Sequence, residues 1–283
     1  MQDSSYLLLS YLAQKAVMPV YTDQLHRTVI IPNTPKRIIS LVPSQTELLY
    51  DLGLEEEVVG ITKFCIHPTI WFRNKTRVGG TKTVNLDVIR ALQPDLIIAN
   101  KEENIKEQVE ALAHDFPVWI SDVNNLEEAL DMIKQIGSIT NKKEAAEAIS
   151  QRIEDAFTNL KSQVSNQRLR TAYLIWKDPY MTVGGDTFIH HMLSHAGFDN
   201  LYTSQQRYPE TTVAELQALN CELLLLSSEP YPFKQKHIEE LQALLPNTMI
   251  LLVDGEAFSW YGSRLLYTPA YIEQLQKAIA TLS

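Results

Sequence analysis

The sequence predicts an α/β protein with two Rossmann-like lobes, each built on a parallel sheet, joined by one long backbone helix. Short apolar runs alternate with amphipathic segments, which is typical of parallel strands covered by helices on both faces. The alternation stops at residues 142–164, where 23 residues contain neither glycine nor proline, and then resumes. At 283 residues, the chain also has the length of two domains of roughly 100–150 residues each.

The first lobe is predicted in residues 21–140, after an N-terminal extension in residues 1–20. A hairpin is expected in "VYTDQLHRTVIIP", and the helices in "PSQTELLYDLG", "NLDVIRALQ", "EENIKEQVEALAHD" and "NLEEALDMIKQIGSI". The strands are the almost wholly apolar runs "KRIISLV", "EEVVGI", "PDLIIAN" and "FPVWIS". Apolar runs without alternation indicate strands that are buried on both faces, so a parallel sheet is expected.

The connecting helix is predicted in residues 141–166. Asn141 is expected to cap it, with Glu144 three residues later as in a capping box. A stripe at helical spacing is expected to face the protein; its members are Ala145, Ala148, Ile149, Ile153, Ala156, Phe157 and Leu160. At 1.5 Å per residue this helix would be about 33 Å long, which makes it a candidate strut between two domains.

The second lobe is predicted in residues 167–283, where the α/β pattern restarts. Its strands are "TAYLIW", "CELLLLSS" and "TMILLV", and its helices lie in "TFIHHMLSHAG", "TVAELQALN", "KQKHIEELQALL" and "YTPAYIEQLQKAIATL". One segment is repeated between the lobes: "VNLDVIRALQPDLII" at 84–98 and "TTVAELQALNCELLL" at 211–225 share Ala-Leu, an acid and three aliphatic residues in one register. Chance similarity is the alternative, but two lobes of like construction explain it better.

The composition excludes several classes of function. The formal net charge is −9 and no basic cluster occurs, so no nucleic-acid partner is expected. Two cysteines, Cys65 and Cys221, exclude a disulfide framework. No segment reaches the roughly 18 apolar residues of a membrane span. The positive region of a signal peptide is not recognised near the first residues.

Aromatic side chains collect where the strands are predicted to end. Phe64 and Trp71 follow one strand of the first lobe, and Trp176, Tyr180 and Trp260 follow strands of the second. Ligands of open α/β sheets bind at the carboxyl ends of strands, and a bulky organic ligand needs a largely apolar cleft. These residues are candidate ligand contacts; the alternative is that they fill the space between the lobes.

Metal and catalytic sites are less well supported. His190, His191 and His195 share one helix, but no Glu follows in the H-E-x-x-H manner, so a solvated helix face is expected. Cys65 and His67 in "FCIHP" are candidate metal ligands, although structural or pocket-lining roles are favoured. The turn "GGDT" resembles a phosphate cradle but lacks the Walker lysine. No catalytic arrangement can be defended, so we expect neither an enzyme nor an intrinsic cofactor.

Four blocks together carry a family resemblance: "PKRIISLVPSQTELLYDLGLEEEVVGIT", "NLDVIRALQPDLIIAN", the unbroken central helix, and "TVGGDTFIHHMLSHAGFDNLY". In this order, over residues 21–282, the chain resembles the substrate-binding proteins of ABC importers that have a helical backbone. These are receptors for vitamin B12, ferric siderophores and haem, and the vitamin B12-binding members are the most similar. The resemblance implies a ligand clamped between two lobes with little hinge closure.

The resemblance also implies residue roles. Phe64 and His67 in the first lobe, and Trp176 and Tyr208 in the second, would face the ligand, while Thr81 replaces a tryptophan of the vitamin B12-binding members. Charge and position suggest that lysines and an arginine contact carboxylate or phosphate groups of the ligand. The candidate ligand contacts are Phe64, His67, Trp71, Thr81, Lys82, Trp176, Tyr180, Tyr208, Trp260 and Arg264, with Lys63 and Lys177 as further cations.

One surface acid per lobe would contact the membrane permease. Asp87 falls on the first such position, whereas the register in the second lobe gives Ala214 with Glu215 beside it, rotated by about 100° on the helix. Stabilisation by the helix dipole is the alternative role of these acids.

The expected function is delivery of a metal chelate, most of all cobalamin or another corrinoid, to an ABC importer. A ferric siderophore or haem is the alternative ligand, with Tyr180 or His67 as the axial residue for haem. The alternative of another class is a cytoplasmic metal-chelate enzyme or chaperone on the same fold. The resemblance implies a monomer in the periplasm or cell envelope, while the unrecognised export signal leaves the cytoplasm open.

Overall fold

The structure is a computed structural model that describes residues 19–164 and 168–282. The predicted N-terminal extension therefore lies outside the described residues, apart from positions 19 and 20. The chain then forms the expected hairpin, in which β1 (Val20–Thr22) pairs antiparallel with β2 (Thr28–Ile30). Asp23 holds the turn, because its carboxylate accepts hydrogen bonds from the backbone N–H groups of Leu25 and Arg27 at 3.0 and 2.9 Å.

The first lobe contains a parallel sheet of five strands in the order β5-β4-β3-β6-β7. Its strands are β3 (Ile38–Ser40), β4 (Val58–Ile61), β5 (Thr76–Arg77), β6 (Leu96–Asn100) and β7 (Val118–Ser121). Its helices are α1 (Pro43–Asp51), α2 (Thr69–Asn74), α3 (Leu86–Leu92), α4 (Lys106–Asp115) and α5 (Leu126–Ile139). The helix α6 (Lys143–Gln163) follows.

The second lobe contains a parallel sheet of four strands in the order β10-β8-β12-β13, beside a short antiparallel pair of β9 and β11. Its strands are β8 (Arg170–Leu174), β9 (Tyr180–Met181), β10 (Asp199–Asn200), β11 (Glu210–Thr211), β12 (Leu223–Ser227) and β13 (Met249–Val253). Its helices are α7 (Phe188–His195), α8 (Val213–Ala218), α9 (Gln235–Leu244), α10 (Glu256–Ser259) and α11 (Thr268–Leu282), with a 3₁₀ turn at Ser263–Leu266.

The two sheets share one strand order. In the first, β3 lies between β4 and β6, with β7 beyond; in the second, β8 lies between β10 and β12, with β13 beyond. The repeated segments form α3 with β6 and α8 with β12, so they occupy the same place in each lobe. The turns also match, since Gln93 and Asn220 both take left-handed φ values, 47° and 51°. The prediction of two lobes of like construction is confirmed.

The long helix α6 begins two residues later than the predicted cap. Asn141 has φ 57°, a left-handed conformation, so it turns the chain between α5 and α6 and does not cap α6. A Cβ atom on Gly137 of α5 would collide with the side chain of Ala146, which shows how closely the two helices pack. The predicted buried stripe included Ala145 and Ala148, but both are exposed, and Ala146 is the buried alanine of this turn. The predicted boundaries of the lobes at residues 140 and 167 stay a prediction.

One apolar core is shared by both lobes. It includes Ile38 of the first sheet, Phe157 of α6, Tyr173 of the second sheet and Ile272 of α11. Separate buried clusters cover the other face of each sheet, around Ile97 in the first lobe and around Leu224 and Leu226 in the second. Because close-packed side chains continue from one sheet through α6 into the other, a large hinge motion would have to break this packing.

Candidate functional site

Loops at the carboxyl ends of the two sheets meet each other. The Tyr261 hydroxyl of the second lobe donates a hydrogen bond to Oε1 of Glu103, three residues after β6, at 2.9 Å. Tyr208 donates to Oε2 of Glu102 at 2.9 Å, and the guanidinium of Arg207 forms an ion pair with the same carboxylate. The strand-end loops of the two lobes therefore contact each other along one surface, called the cleft here, where a ligand of open α/β sheets is expected to bind.

Arg264 joins the lobes at this cleft. Its Nε and Nη2 atoms donate to the two carboxylate oxygens of Glu47 in α1 at 2.9 and 2.6 Å, and its Nη1 atom lies 2.8 Å from Glu256. Burial raises the pKa of Glu47, while the hydrogen bond and charge of Arg264 act in the opposite direction. Carboxylates of the protein itself engage the guanidinium of Arg264, and its role as a ligand contact stays a prediction.

Trp260 and His67 also lie between the lobes. Trp260 is buried, and its Nε1–H donates to Oε1 of Glu229 at 3.0 Å. The ring of His67 packs edge-on against Trp260, with centroids 5.6 Å apart, and its Nε2 atom lies 3.3 Å from Glu256. The alternative that an aromatic fills space between the lobes is therefore the better description of Trp260.

Two candidate aromatics remain exposed at the strand ends. Phe64 follows β4 and is 51% exposed, and Trp176 follows β8 and is 41% exposed. The Lys63 ammonium lies 5.1 Å from the centre of the Phe64 ring, and Trp176 packs edge-on against Tyr231. Tyr180, in β9, is half-buried. Phe64 and Trp176 thus offer free aromatic surface, one from each lobe.

Trp71 packs inside the first lobe. It is completely buried in α2, where its Nε1–H donates to Glu55 at 2.8 Å and Tyr50 packs edge-on against its ring. This burial favours the alternative that Trp71 fills space within the protein, and its role as a ligand contact stays a prediction. The sequence did not distinguish it from Phe64 because both follow the same strand.

Thr81 and Lys82 lie in a loop that folds back on the residues after β6. The Thr81 carbonyl accepts a hydrogen bond from Asn104 at 3.1 Å, and the Lys82 ammonium donates to the backbone carbonyl of Glu102. The Lys82 side chain is exposed. Both residues accordingly lie beside the cleft and stay candidate ligand contacts.

Cys65 lies between two threonine hydroxyls. Its buried thiol lies 3.0 Å from the Thr46 hydroxyl and 3.2 Å from that of Thr62, and burial raises its pKa. Metal ligation needs the thiolate, which a raised pKa disfavours. No group of three or more His, Cys, Asp or Glu side chains suited to a metal occurs in residues 19–164 and 168–282. These contacts favour the structural role of Cys65, and the metal hypothesis for Cys65 and His67 stays a prediction.

The histidines of α7 pack against the helical backbone. His191 Nδ1 accepts a hydrogen bond from the backbone N–H of Leu126, the first residue of α5, at 3.2 Å. The His195 ring packs edge-on against Phe157 of α6, with centroids 5.0 Å apart. All three histidines are half-buried, so the expected solvated face is corrected. Burial lowers the pKa of His195 to about 4, which keeps the ring neutral near pH 7.

The glycines of "GGDT" serve a backbone contact. Gly184 N–H donates to the Arg207 carbonyl at 2.7 Å, and Gly185 N–H donates to that of Gln205 at 2.9 Å. A Cβ atom at Gly185 would collide with the carbonyl of Thr203. These glycines therefore seat the segment 203–208, which carries Arg207 and Tyr208 into the cleft, and Thr187 caps α7 behind them.

Carboxylates dominate the meeting surface of the lobes; they are Glu47, Glu102, Glu103, Glu229 and Glu256. Burial, together with the charge of Glu229, raises the pKa of Glu103 to about 7. Burial also raises the pKa of Glu229, with the charge of Glu256 adding to it. These acids were given no role in the sequence analysis, although Glu102 and Glu229 follow β6 and β12. Their position directly after two apolar strands was the available signal.

The two candidate permease acids differ in exposure. The Asp87 side chain is 97% exposed at the start of α3. Glu215 is half-buried in the first turn of α8, where its carboxylate accepts a hydrogen bond from Thr211 at 3.3 Å. Ala214 occupies the exposed position that corresponds to Asp87.

None of the helices in the described parts of the chain is long and apolar enough to cross a membrane.

The vitamin B12-binding protein of Vibrio parahaemolyticus is 24% identical over 212 residues, which cover 74% of this chain and 77% of that protein. An uncharacterized ABC transporter substrate-binding lipoprotein of Bacillus subtilis is 28% identical over 215 residues, covering 72% and 68%. The crystal structure of the periplasmic vitamin B12 binding protein of Vibrio cholerae superposes with a TM-score of 0.70 at 23% identity, covering 86% of this chain and 99% of that one.

A family described as "Periplasmic binding protein" matches residues 38–244, which include both sheets as far as β12 and the helix between them. Its members are binding proteins, which overturns the alternative of a metal-chelate enzyme. The two lobes and the connecting helix agree with this assignment. The chain belongs to the periplasmic binding protein family, as a substrate-binding protein of the ABC-importer type.

Proposed function

We propose that the chain binds cobalamin or another corrinoid between its lobes and delivers it to an ABC importer. The observation that carries this proposal is the exposure of Phe64 and Trp176, 51% and 41%, at the strand ends of opposite lobes. Large aromatics at the mouth of a cleft bury much apolar area when a bulky ligand covers them. A corrin is a large ligand with apolar surface, so contacts from both lobes suit it.

The haem alternative has weaker support. A haem iron needs an axial ligand, for which His67 and Tyr180 are the candidates. His67 is engaged by Glu256 and packed against Trp260. Burial raises the pKa of Tyr180, which disfavours the phenolate that would bind iron. The carboxylates of the cleft also disfavour anionic ferric siderophores, since like charges repel most where water is excluded.

Binding of cyanocobalamin tests the proposal directly. Purified protein mixed with cyanocobalamin and passed through a desalting column should carry the corrin absorbance in equimolar amount. Phe64→Ala and Trp176→Ala should each weaken binding by about tenfold or more, as expected for loss of 1–3 kcal/mol of buried aromatic surface. The matched control is Leu244→Ala, which removes an apolar side chain that is 53% exposed at the end of α9.

Two outcomes would contradict the proposal. Absence of the corrin from the protein fraction would reject cyanocobalamin as a ligand, and haem or a ferric siderophore bound under the same conditions would replace it. Equal losses in the Leu244→Ala control would show that the aromatic substitutions act through general damage to the fold.

We also propose that Asp87 contacts the permease and that the chain works in the periplasm or cell envelope. Asp87 is the more exposed of the two candidate acids, whereas Glu215 is held at the start of α8. Asp87→Ala should therefore reduce uptake of labelled cyanocobalamin by cells of the source organism without changing its affinity for the purified chain. Glu215→Ala should have the smaller effect, and the reverse order would contradict these roles.

A further inference from the structure

Glu103 and Glu229 occupy related positions in the two lobes. Glu103 follows β6 by three residues, Glu229 follows β12 by two, and β6 and β12 hold the same place in their sheets. Both side chains are half-buried at the meeting surface. Their donors are neighbours in the chain, since Tyr261 donates to Glu103 and Trp260 donates to Glu229, and the charge of Glu229 contributes to the raised pKa of Glu103. One carboxyl group from each lobe therefore borders the same cleft.

These two carboxyl groups differ from the other acids of the cleft in their partners. Arg264 engages Glu47 and Glu256, and Arg207 engages Glu102. Charge-assisted pairs of this kind cancel much of the carboxylate charge.

Glu103 and Glu229 are held by neutral donors in the described structure. The Tyr261 hydroxyl donates to Glu103 at 2.9 Å. The Ser259 hydroxyl and the Trp260 indole donate to Glu229 at 2.7 and 3.0 Å. Such donors orient a carboxylate but leave its net charge in place.

The nearby cations do not neutralise this pair. Lys82 faces Glu103, but its side chain is exposed, so solvent and salt screen its effect. Glu229 faces further acids, Glu256 and Asp254. A ligand carboxylate placed between the lobes would therefore meet uncompensated negative charge, and either the repulsion or the uptake of a proton would cost binding free energy.

We propose that Glu103 and Glu229 select ligands by charge. The cleft accepts a chelate whose periphery carries neutral amides and rejects one of the same shape that carries carboxylates. This inference rests on the proposed corrinoid function and adds a specificity rule to it. Amide N–H groups of the ligand donate hydrogen bonds to the two carboxyl groups, whereas ligand carboxylates repel them. The rule gives a physical reason for choosing corrinoids over haem, whose two propionates are anionic.

The test compares two ligands of nearly identical shape at pH 7.5. One is cyanocobalamin, and the other is each of its monocarboxylic acids, in which one peripheral amide is hydrolysed. Isothermal titration should show at least one monoacid binding the unmodified chain about tenfold more weakly than cyanocobalamin, the effect of one pKa unit of like-charge interaction. Glu103→Gln, Glu229→Gln and the double variant should reduce this ratio stepwise to about twofold.

The matched control is Glu110→Gln, which removes the same charge from α4, where the side chain is 61% exposed and pairs with Lys106. This control should keep the full ratio between the two ligands. If a substituted chain fails to fold, the unmodified chain still tests the inference. Equal affinity of the unmodified chain for cyanocobalamin and for every monoacid would overturn it. A ratio that persists in a folded double variant would also overturn it. Failure of cyanocobalamin itself to bind would instead overturn the proposed function, and the inference with it.

Discussion

Arg37 and Arg170 are structural counterparts, one in each lobe. The guanidinium of Arg37, just before β3, donates through Nε and Nη2 to the Leu92 carbonyl at the end of α3, at 2.8 and 2.6 Å. The guanidinium of Arg170, at the start of β8, donates in the same way to the Leu219 carbonyl at the end of α8, at 3.2 and 2.7 Å. Each arginine thus ties the first strand of its lobe to the repeated helix and satisfies an orphan carbonyl there.

Removing either arginine should destabilise the chain to a similar extent. We expect Arg37→Ala and Arg170→Ala each to lower the free energy of unfolding by about 1 kcal/mol, the usual net value of such hydrogen bonds. Urea unfolding followed by circular dichroism measures this. The exposed Arg152 of α6 provides the control, and Arg152→Ala should change the free energy of unfolding by less than about 0.5 kcal/mol. If only one of the two variants lost stability, the structural equivalence of Arg37 and Arg170 would be contradicted.

The ion pair between Glu47 and Arg264 should be energetically coupled. A double-mutant cycle with Glu47→Gln and Arg264→Gln should give a coupling free energy of about 1–3 kcal/mol, because both side chains are mostly buried, 15% and 19% exposed, and the hydrogen bonding is bidentate. The same cycle at the exposed pair of Lys143 and Glu147 in α6 should give about 0.5 kcal/mol or less. Equal coupling at both sites would show that the inter-lobe pair adds no special stability.

The contact between α5 and α6 should tolerate an exchange of side chains but not an addition. Gly137→Ala should lower the free energy of unfolding by about 1–3 kcal/mol, since its new methyl group would collide with Ala146. Adding Ala146→Gly should recover part of this loss, because it removes the colliding group. Thermal unfolding of the single and double variants measures both effects. Full tolerance of Gly137→Ala would mean that the helices move apart at little cost.

The buried His195 should make the fold less stable in mild acid. Its pKa is lowered to about 4 by burial, with the charges of His191 and Lys161 adding to the effect, so the unfolded chain binds a proton that the native state refuses. Above the unfolded pKa of about 6.5, the titration of His195 does not affect the free energy of unfolding. As the pH drops from 6.5 towards 4, this free energy decreases, because only the unfolded chain binds the proton. Between pH 6.5 and 5 the free energy of unfolding should decrease by about 2 kcal/mol, at about 1.4 kcal/mol per pKa unit.

The variant His195→Phe separates this effect from other titrating groups. It keeps an aromatic ring against Phe157 but removes the proton-binding nitrogen atoms. The difference in melting temperature between this variant and the unmodified chain should therefore grow in favour of the variant as the pH falls from 6.5 to 5. A difference that does not depend on pH would contradict the lowered pKa.

Patterns within the sequence predicted the elements of the fold but not the environments of single side chains. The apolar strands and the repeat at 84–98 and 211–225 depend on local periodicity, which the sequence displays directly. Asn141 was misplaced as a cap because it takes a left-handed φ of 57° in the turn between α5 and α6, two helices that pack closely at Gly137 and Ala146.

The site was harder to predict because exposure depends on distant neighbours. Trp71 and Phe64 follow the same strand, yet one is buried against Glu55 and the other is open to solvent. The sequence predicts no partner for the guanidinium of Arg264, but the fold brings Glu47 to it from 217 residues away. These partners lie far from Trp71 and Arg264 in the sequence, in the case of Glu47 in the other lobe, so no local pattern predicts them.

The close seating of Gly185 against the carbonyl of Thr203 has a consequence for genetic screens. Any larger residue at this position would push aside the segment that carries Arg207 and Tyr208, although Gly185 itself lies behind that segment. On the proposed function, cells that depend on the imported ligand would then grow poorly even where the protein still folds. A selection for such growth would assign Gly185 to the recognition surface, when its contribution is to hold the backbone of its neighbours in place.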